Sequence, residues 1–463
     1  MGKWYDEAVF YHMYPLGMTG APKVNDAEET QHRLRELFPW IAHMKGLGVT
    51  AVYIGPLFES TTHGYDTRDY KLVDRRLGDN DDFREFVRLA HASGIRVVVD
   101  GVFNHTGREF FAFRDIQKNR ERSPYCSWYK GLRFDWNDPY NDGFWYEAWR
   151  NCYELVNLNL WDQGVKDYLF DVIRFWVKEF DIDGIRLDCA DCLDFGFMQE
   201  MRRMTGELKG DFWLMGEVIH GDYSRWANDE TLHSVTNYEL HKGLYSGHND
   251  HNYFEIAHTI RREFDENGGI YRGRHLYSFV DNHDVDRIAS KLREKRHLDP
   301  VYTLLFTLPG IPSIYYGSEW GIEGKKEGPN DDPMRPCIHL EEMKDTELTE
   351  HIRRLGKLHR ENPELSGGRY KELALTNRQY AFGRILGDQA VIVAVNNDEN
   401  PAHVSIPLPL EARSCADAFT GEPIAVSDGK IQAELAACGS LCVKINGAVA
   451  DEDTGSRRGE QIL

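Results

Sequence analysis

The sequence predicts an α/β fold: a (β/α)8 TIM barrel with a small domain inserted after strand 3 and a C-terminal antiparallel β-sandwich domain. Three observations predict it. Eight short apolar runs alternate with segments of helical spacing. One connection, after the third run, is far longer than a barrel loop needs to be. After about Ser366 the style changes to short strands joined directly by turn residues.

The apolar runs are Val9–Tyr14, Ala51–Leu57, Ile95–Val99, Gly184–Leu187, Phe212–Val218, Val235–Leu240, Leu276–Val280 and Ser313–Tyr316. Between them, Leu34, Leu37, Ile41 and Met44 recur at steps of three and four, as do Val165, Leu169, Val172 and Trp176. Such steps put the apolar groups on one helix face. Asp299-Pro300 before Val301–Leu308 predicts an N-cap followed by proline at the first helical position. Strands alternating with helices imply a parallel sheet with helical crossovers, and residues 5–361 can hold the ~250 residues a closed barrel needs. The expected division is 1–105 and 164–365 for the barrel, 106–163 for the insert, 366–447 for the sandwich and 448–463 for a loose polar tail.

The insert is dense in aromatics, among them Phe110, Phe113, Tyr129, Trp136, Phe144, Tyr146 and Trp149. Some are expected to form a small core and others a wall over the barrel mouth that can stack on a ligand. In the C-terminal part, Gln379–Ile385, Ala390–Val395, His403–Leu408, Lys430–Leu435 and Leu441–Ile445 read as strands, with Gly387-Asp388, Asn396-Asn397-Asp398 and Asp428-Gly429 as turns.

Acidic side chains exceed basic ones, 75 to 55, for a formal charge of −20. That charge repels phosphate backbones and anionic lipid, so neither nucleic acid nor a membrane surface is an expected partner; a neutral sugar is not excluded. Eight cysteines in 463 residues are too sparse for a disulfide framework. The Cys189-x-x-Cys192 pair has no second pair to complete a zinc site and reads as structural. The N-terminal stretch shows no cationic segment ahead of an apolar one, and the longest apolar candidate, Val301 to Tyr316, is broken by Pro309, Gly310 and Pro312. The expectation is a cytoplasmic protein. Gly46 to Ala51 mimics a dinucleotide fingerprint but precedes a strand instead of following one.

Barrel enzymes place their chemistry at the carboxyl ends of strands. There the third run supplies Asp100, Asn104 and His105, the fourth Arg186 and Asp188, the fifth Glu217, and the seventh His283 and Asp284. A lone acid at a strand end is usually a cap; four at four ends of one barrel would converge on its axis. Carboxylates there suit glycosidic bond cleavage, whose transition state is cationic at the sugar. One carboxyl must stay protonated to donate, and another ionised to attack. Arg186, two residues before Asp188 and on the same strand face, is expected to keep Asp188 charged, and crowding by other acids to push Glu217 towards its protonated form.

The ordered segments DGVFNH, GIRLD, GEV and FVDNHD resemble the four core regions of the α-amylase family of glycoside hydrolases. GVTAVYIGPLFES, HGYDTRDYKLVDRRLG and GIPSIYYGSEWG are similar to its supporting segments, and the resemblance runs from Tyr5 to about Ile445. It implies a catalytic barrel with an inserted domain and a C-terminal β-domain. By position, Asp188 matches the nucleophile, Glu217 the general acid/base and Asp284 the third acid, which holds sugar hydroxyls. Arg186 matches the arginine that orients the nucleophile, supported by Asp100. His105 and His283 match histidines that bond the sugar in the cleaved subsite, and Tyr65 the aromatic platform beneath it. Asp331 and Arg335, in a compressed DDPMR, match a pair that bonds the next sugar outward. The implied reaction is retaining hydrolysis of α-glucosidic bonds, with the carboxyls of Asp188 and Glu217 about 5–5.5 Å apart.

The AVFYHMYP opening and the short insert resemble the cyclomaltodextrinase, neopullulanase and maltogenic amylase group, whose members usually carry an additional N-terminal β-domain that helps build their dimer; this chain starts almost at the first barrel strand, so a homodimer is an option only. LVNLN, residues 155–159, matches neither that group's MPKLN nor the QPDLN of oligo-1,6-glucosidases, so linkage preference between α-1,4 and α-1,6 is open. Asp191 also departs from the Asn or Lys common three residues after the nucleophile. The expected substrates are short or cyclic maltodextrins. A transglycosylase on the same scaffold is the alternative; a non-catalytic glucan-binding protein is a remote one, because such proteins lose acids that this chain keeps. No cofactor is expected. Asn104 matches a structural calcium ligand of many α-amylases, but Asp135, Asp138 and Asp142 of the insert show no ligand spacing, so calcium is not predicted.

Overall fold

A computed structural model describes residues 2–26 and 28–447; the expected tail, 448–463, lies outside the described residues. Eight strands, β1 (Phe10–Met13), β2 (Ala51–Ile54), β3 (Arg96–Gly101), β4 (Gly184–Leu187), β5 (Trp213–Gly216), β6 (Ser234–Val235), β7 (Tyr277–Phe279) and β8 (Ile311–Tyr315), form one parallel sheet. Their order is β6-β5-β4-β3-β2-β1-β8-β7. The seam closes just past β6, where Thr236 bridges Tyr277 in parallel and the Asn237 N–H donates to the Tyr277 carbonyl at 2.8 Å. The sheet is therefore a barrel.

Side chains alternate across each strand. Phe10, Tyr53, Val98, Trp213, Met215, Tyr277, Phe279 and Ile311 share one cluster, the barrel's inner filling. Their neighbours Tyr11, Val52, Val97, Val99, Ile185 and Leu214 belong to the larger core under the helices. The longer helices between and after the barrel strands are α1 (Phe38–Gly46), α2 (Asn80–Ala92), α3 (Gln163–Phe180), α4 (Phe195–Leu208), α5 (Tyr238–Asn249), α6 (Tyr253–Phe264), α7 (Leu298–Thr307) and α8 (Glu347–Glu361), with a further helix, Phe111–Asn119, in the insert. On α3 the four residues expected on one face, Val165, Leu169, Val172 and Trp176, are all buried, and Asp162 caps the helix by accepting from the Val165 N–H.

Three local features differ from the sequence expectation. The crossover from β5 to β6 carries only the single turn Tyr223–Arg225, while the next connection carries both α5 and α6. The run Val235–Leu240 is not one strand: Asn237 accepts from the Leu240 N–H and starts α5 at Tyr238. Apolar composition alone could not separate the two-residue strand from the helix that follows. Finally, α7 begins at Leu298, behind a turn at Lys295–His297, so Asp299 and Pro300 lie inside its first turn. Proline is tolerated there because no intrahelical acceptor waits for its missing N–H. The Asp299 carboxylate instead accepts from the Ser440 hydroxyl at 2.6 Å.

In the insert, His105–Gly107 pairs antiparallel with Cys152–Asn157, which pairs with Ala148–Trp149. Phe113, Tyr129, Phe144 and Tyr146 are buried, while Trp136 and Tyr140 are more than half exposed. The aromatics thus divide into core and surface groups. After the barrel, Arg369–Leu375, Gln379–Leu386, Gln389–Asn396, Ser440–Gly447 and Ala412–Asp417 make a five-stranded antiparallel sheet in that order. Ala402–Pro407, Lys430–Leu435 and Val426–Ser427 make a three-stranded one. Arg384 ties the larger sheet to the barrel by donating to the carbonyls of Thr307 and Gly368. No helix among the described residues is long and apolar enough to cross a membrane.

Candidate active site

Register brings the strand-end groups together. Along β3 and β4, Asp100 is paired with Arg186, so both side chains rise into the barrel from adjacent strands. Beyond the ends of β4 and β5 the ladder continues: the Glu217 N–H donates to the Leu187 carbonyl and the Ala190 N–H to the Glu217 carbonyl, both at 2.9 Å. Between these bonds Cys189 takes a left-handed backbone with φ 46° and ψ 46°. Such a conformation costs on the order of 1–3 kcal/mol for a non-glycine residue. Its effect here is to turn the Cys189 N–H to the Glu217 carboxylate at 3.1 Å.

One guanidinium joins the acids. Arg186 Nη1 donates to Asp100 Oδ1 and Asp188 Oδ1, each at 2.9 Å, and Nη2 lies 2.9 Å from Glu217 Oε2. Tyr53 donates to the other oxygen of Asp100 at 2.7 Å, and the Tyr65 hydroxyl reaches the same oxygen at 3.1 Å. Asp100 is thus a fully engaged anchor, buried beneath the other acids. The carboxyls of Asp188 and Glu217 keep about a tenth of their surface open, at 10% and 12%, whereas Asp284 keeps 38%. Asp284 is therefore the acid most accessible to an incoming polar group.

Asp284 is held from two sides. His283 Nε2 lies 3.1 Å from its Oδ2, and Arg335 Nη2 donates to its Oδ1 at 3.0 Å. Burial opposes ionisation, but the His283 ring and the Arg335 guanidinium outweigh it and hold the Asp284 carboxyl well below the usual carboxylate range. Arg335 also reaches Asp331 at 3.2 Å and donates through Nε to the His283 carbonyl at 2.9 Å. The rings of Tyr14 and Tyr65 each lie 5.6 Å from the His283 ring and nearly parallel to it, and the Tyr65 hydroxyl meets its Nε2 at 2.6 Å. His105 is buried, 6.0 Å from the Trp149 ring, and its Nε2 makes no hydrogen bond among the described residues. Burial pushes the His105 imidazole down to about 3, so it is neutral at physiological pH.

For Asp188 the outcome differs from the sequence expectation. Burial is the largest influence and raises its carboxyl; Arg186 pulls down, while the charges of Glu217 and Asp100 push up again, to about 8. One guanidinium shared by three carboxylates cannot hold all of them ionised in a dry pocket. Asp188 and Glu217 are bridged by the same arginine, so the charge on Glu217 bears directly on Asp188.

Nine of the ten residues singled out from the sequence are joined by hydrogen bonds or ion pairs around the barrel mouth, with Arg335 and Asp331 entering through Asp284; the tenth, His105, lies with a ring nitrogen within 4.8 Å of an Asp188 carboxylate oxygen. Sequence reasoning missed Tyr53, Tyr14, His12 and Cys189. Tyr53 and His12 stack at 4.3 Å and line the same layer. Their signal was available: His12 and Tyr53 occupy inward positions two residues after the apolar Phe10 and Ala51 of β1 and β2. The insert's acids are already engaged. Arg108 pairs with Asp138 and Asp142, Arg133 with Asp135, and Asn104 donates to the Asn157 side chain. Guanidinium cations among these carboxylates do not fit a calcium cage.

A parallel barrel that gathers four acids, an arginine and aromatics at the carboxyl ends of its strands suits the cationic transition state of glycosidic bond cleavage. The family described as "Alpha amylase, catalytic domain" matches residues 37–361, and the chain belongs to the α-amylase family. It is 30% identical over 419 residues to a cyclomaltodextrinase of Thermoanaerobacter pseudethanolicus, covering 85% of this chain and 71% of the relative. It is also 30% identical over 465 residues to neopullulanase 2 of Thermoactinomyces vulgaris, covering 94% and 77%. Among solved structures, the ligand-free cyclic α-maltosyl-(1→6)-maltose hydrolase of Arthrobacter globiformis superimposes with a TM-score of 0.80 at 25% identity, over 96% of this chain and 99% of that one.

Proposed function

We propose that the protein hydrolyses α-1,4 bonds, and also α-1,6 bonds, of short or cyclic maltodextrins with retention at the anomeric carbon. The observation that carries this reading is the single Arg186 guanidinium bonded to Asp100, Asp188 and Glu217. It holds Asp188 and Glu217 on the two nitrogens of one guanidinium, and the Cys189 N–H ties Glu217 to the residue beside Asp188. Retaining enzymes set their two carboxyls close, so that one can attack the carbon directly, whereas inverting enzymes leave a gap for water.

In the proposed reaction Asp188 attacks the anomeric carbon while Glu217 gives its proton to the departing oxygen. For that step Asp188 must be ionised and Glu217 must carry the proton. A glycosidic oxygen beside Glu217 and a growing positive charge beside Asp188 both favour that placement. Water resolves the glycosyl-enzyme, with Glu217 taking a proton back. Asp284, held ionised beside His283 and Arg335 and open to the pocket, binds sugar hydroxyls. Tyr65 and the buried, neutral His105 offer a stacking face and a free ring nitrogen to the same sugar. Relatives and neighbours named as cyclomaltodextrinase and as a cyclic maltosyl-maltose hydrolase support cyclic and mixed-linkage substrates. All eight cysteines are free, which fits a reducing, cytoplasmic setting.

The test is turnover of β-cyclodextrin, maltotriose, pullulan, isomaltose and starch by the wild type, Asp188→Asn and Glu217→Gln. Both variants are expected to lose on the order of 10³-fold or more in kcat. Near-normal activity in either variant refutes the assignment, and much faster turnover of starch than of every small substrate refutes the preference for short and cyclic glucans.

A further inference from the structure

Cys189 has no part in the reaction above, yet its thiol lies on the floor of the pocket. Its Sγ donates to Asp188 Oδ2 at 3.0 Å, while Arg186 holds the other oxygen of the same carboxylate. Ligand atoms of His105, Asp188 and Cys189 all lie within 4.8 Å of one another, and each residue is at least nine-tenths buried. His105 Nε2 is also buried and without a hydrogen bond among the described residues, so it is open to whichever ligand enters, sugar or cation. We infer that His105, Asp188 and Cys189 form a binding site for a thiophilic divalent cation, Zn²⁺ or Cd²⁺, which competes with the glucan for the pocket floor.

The donor set is one sulfur, one imidazole nitrogen and one carboxylate oxygen. That mixture suits zinc and its softer congeners and not calcium or magnesium, which demand oxygen. A tetrahedral ion with bonds of about 2.0–2.3 Å spaces its ligands roughly 3.5 Å apart. The 3.0 Å separation of sulfur and carboxylate and the 4.8 Å outer limit bracket that spacing. Three protein ligands leave a fourth position for water. On binding, the metal forms bonds to Sγ, to Asp188 Oδ2 and to a His105 ring nitrogen. The thiol proton leaves to solvent and no electron changes hands. Arg186 repels the ion, but Asp100, Asp188 and Glu217 around the same guanidinium make the pocket acidic in sum.

Loss of hydrolysis on metal binding rests on the reading of Asp188 as nucleophile; the binding itself does not. The experiment titrates the full chain with CdCl₂ in chelator-free buffer. It follows the thiolate-to-cadmium ultraviolet absorption, the heat of binding and the inhibition of β-cyclodextrin hydrolysis. Wild type is expected to take up a cadmium ion with thiolate absorption and to be inhibited competitively. Cys189→Ala is expected to lose that absorption and to raise the inhibition constant about tenfold or more. Cys192→Ala, three residues on and exposed, keeps both properties. His105→Gln leaves every thiol in place and is expected to weaken cadmium binding by about tenfold. Unchanged cadmium affinity in Cys189→Ala or in His105→Gln overturns the site. A wild type that binds cadmium through Cys189 yet cleaves no α-glucan supports the site and refutes the proposed function.

Discussion

Replacing Glu263 by glutamine should stabilise the protein at alkaline pH and leave it nearly unchanged in acid. Glu263 lies on α6 with no exposed surface. Its Oε2 accepts from Asn237 Nδ2 at 2.9 Å, and its Oε1 has no hydrogen-bond partner among the described residues. Burial pushes its carboxyl from 4.5 up to about 7, with Asn237 and Arg262 pulling weakly the other way. The folded acid therefore keeps its proton where the unfolded chain has lost it. This group's contribution is fully present below pH 4.5, declines as pH rises through 7, and then levels off. The difference, 7 − 4.5 = 2.5 units, corresponds to about 3 kcal/mol lost between those limits. Asn237 also closes the barrel seam through its backbone and caps α5 through its side-chain oxygen, so the cost falls on the barrel itself. Glu263→Gln keeps an acceptor for Asn237 without a charge. At roughly 2 cal/mol/K of unfolding entropy per residue, 3 kcal/mol in a 463-residue chain moves Tm by about 3 °C. The check is Tm of both proteins at pH 5 and pH 8. The gap in favour of Glu263→Gln should grow by about 2–3 °C between the two, and a gap independent of pH refutes the reasoning.

Further outcomes follow from the site. Tyr53→Phe removes the shorter of two phenol bonds to Asp100 but leaves Tyr65 and Arg186, so kcat/KM for β-cyclodextrin should fall by less than about tenfold, about one net hydrogen bond. Arg335→Lys cannot reproduce a fork that bonds Asp284, Asp331 and the His283 carbonyl together. It should cost on the order of 10–100-fold in kcat/KM, and wild-type kinetics would show that Asp284 does not depend on that fork. Because arginines already occupy the insert's acids, a chelator such as EDTA should leave Tm within about 1 °C of the untreated value; a larger fall would reveal a stabilising cation.

How much of this was legible beforehand varied by element. The run VVVDGVFNH placed Asp100 at the end of an apolar strand, and the structure places it there, buried and paired in register with Arg186. The helix over Val165–Trp176 was equally plain, because apolar groups recurring at steps of three and four over three turns have few alternatives. Val235–Leu240 was not: two residues of strand and the start of a helix share one apolar composition, and Asn237 decides between them by capping. The strands Arg369–Leu375 and Ala412–Asp417 were missed, since edge strands bury little and show weak alternation. Tyr53 and His12 were passed over because a single polar group in an apolar strand reads as core until its neighbours across the barrel are known.

The chain alone determined which residue types stand at the ends of which strands, because periods of two and of three to four are local properties of the backbone. It determined the order of the acids along the polymer and the excess of negative charge. Only the tertiary structure decided that Arg186 is shared among three carboxylates, that burial outweighs that arginine at Asp188, and that Cys189 lies against the same acid. Those outcomes depend on distances and dielectric surroundings between groups far apart in sequence. Coulomb and desolvation energies of several kcal/mol turn on an ångström of separation, and barrel closure sets those separations.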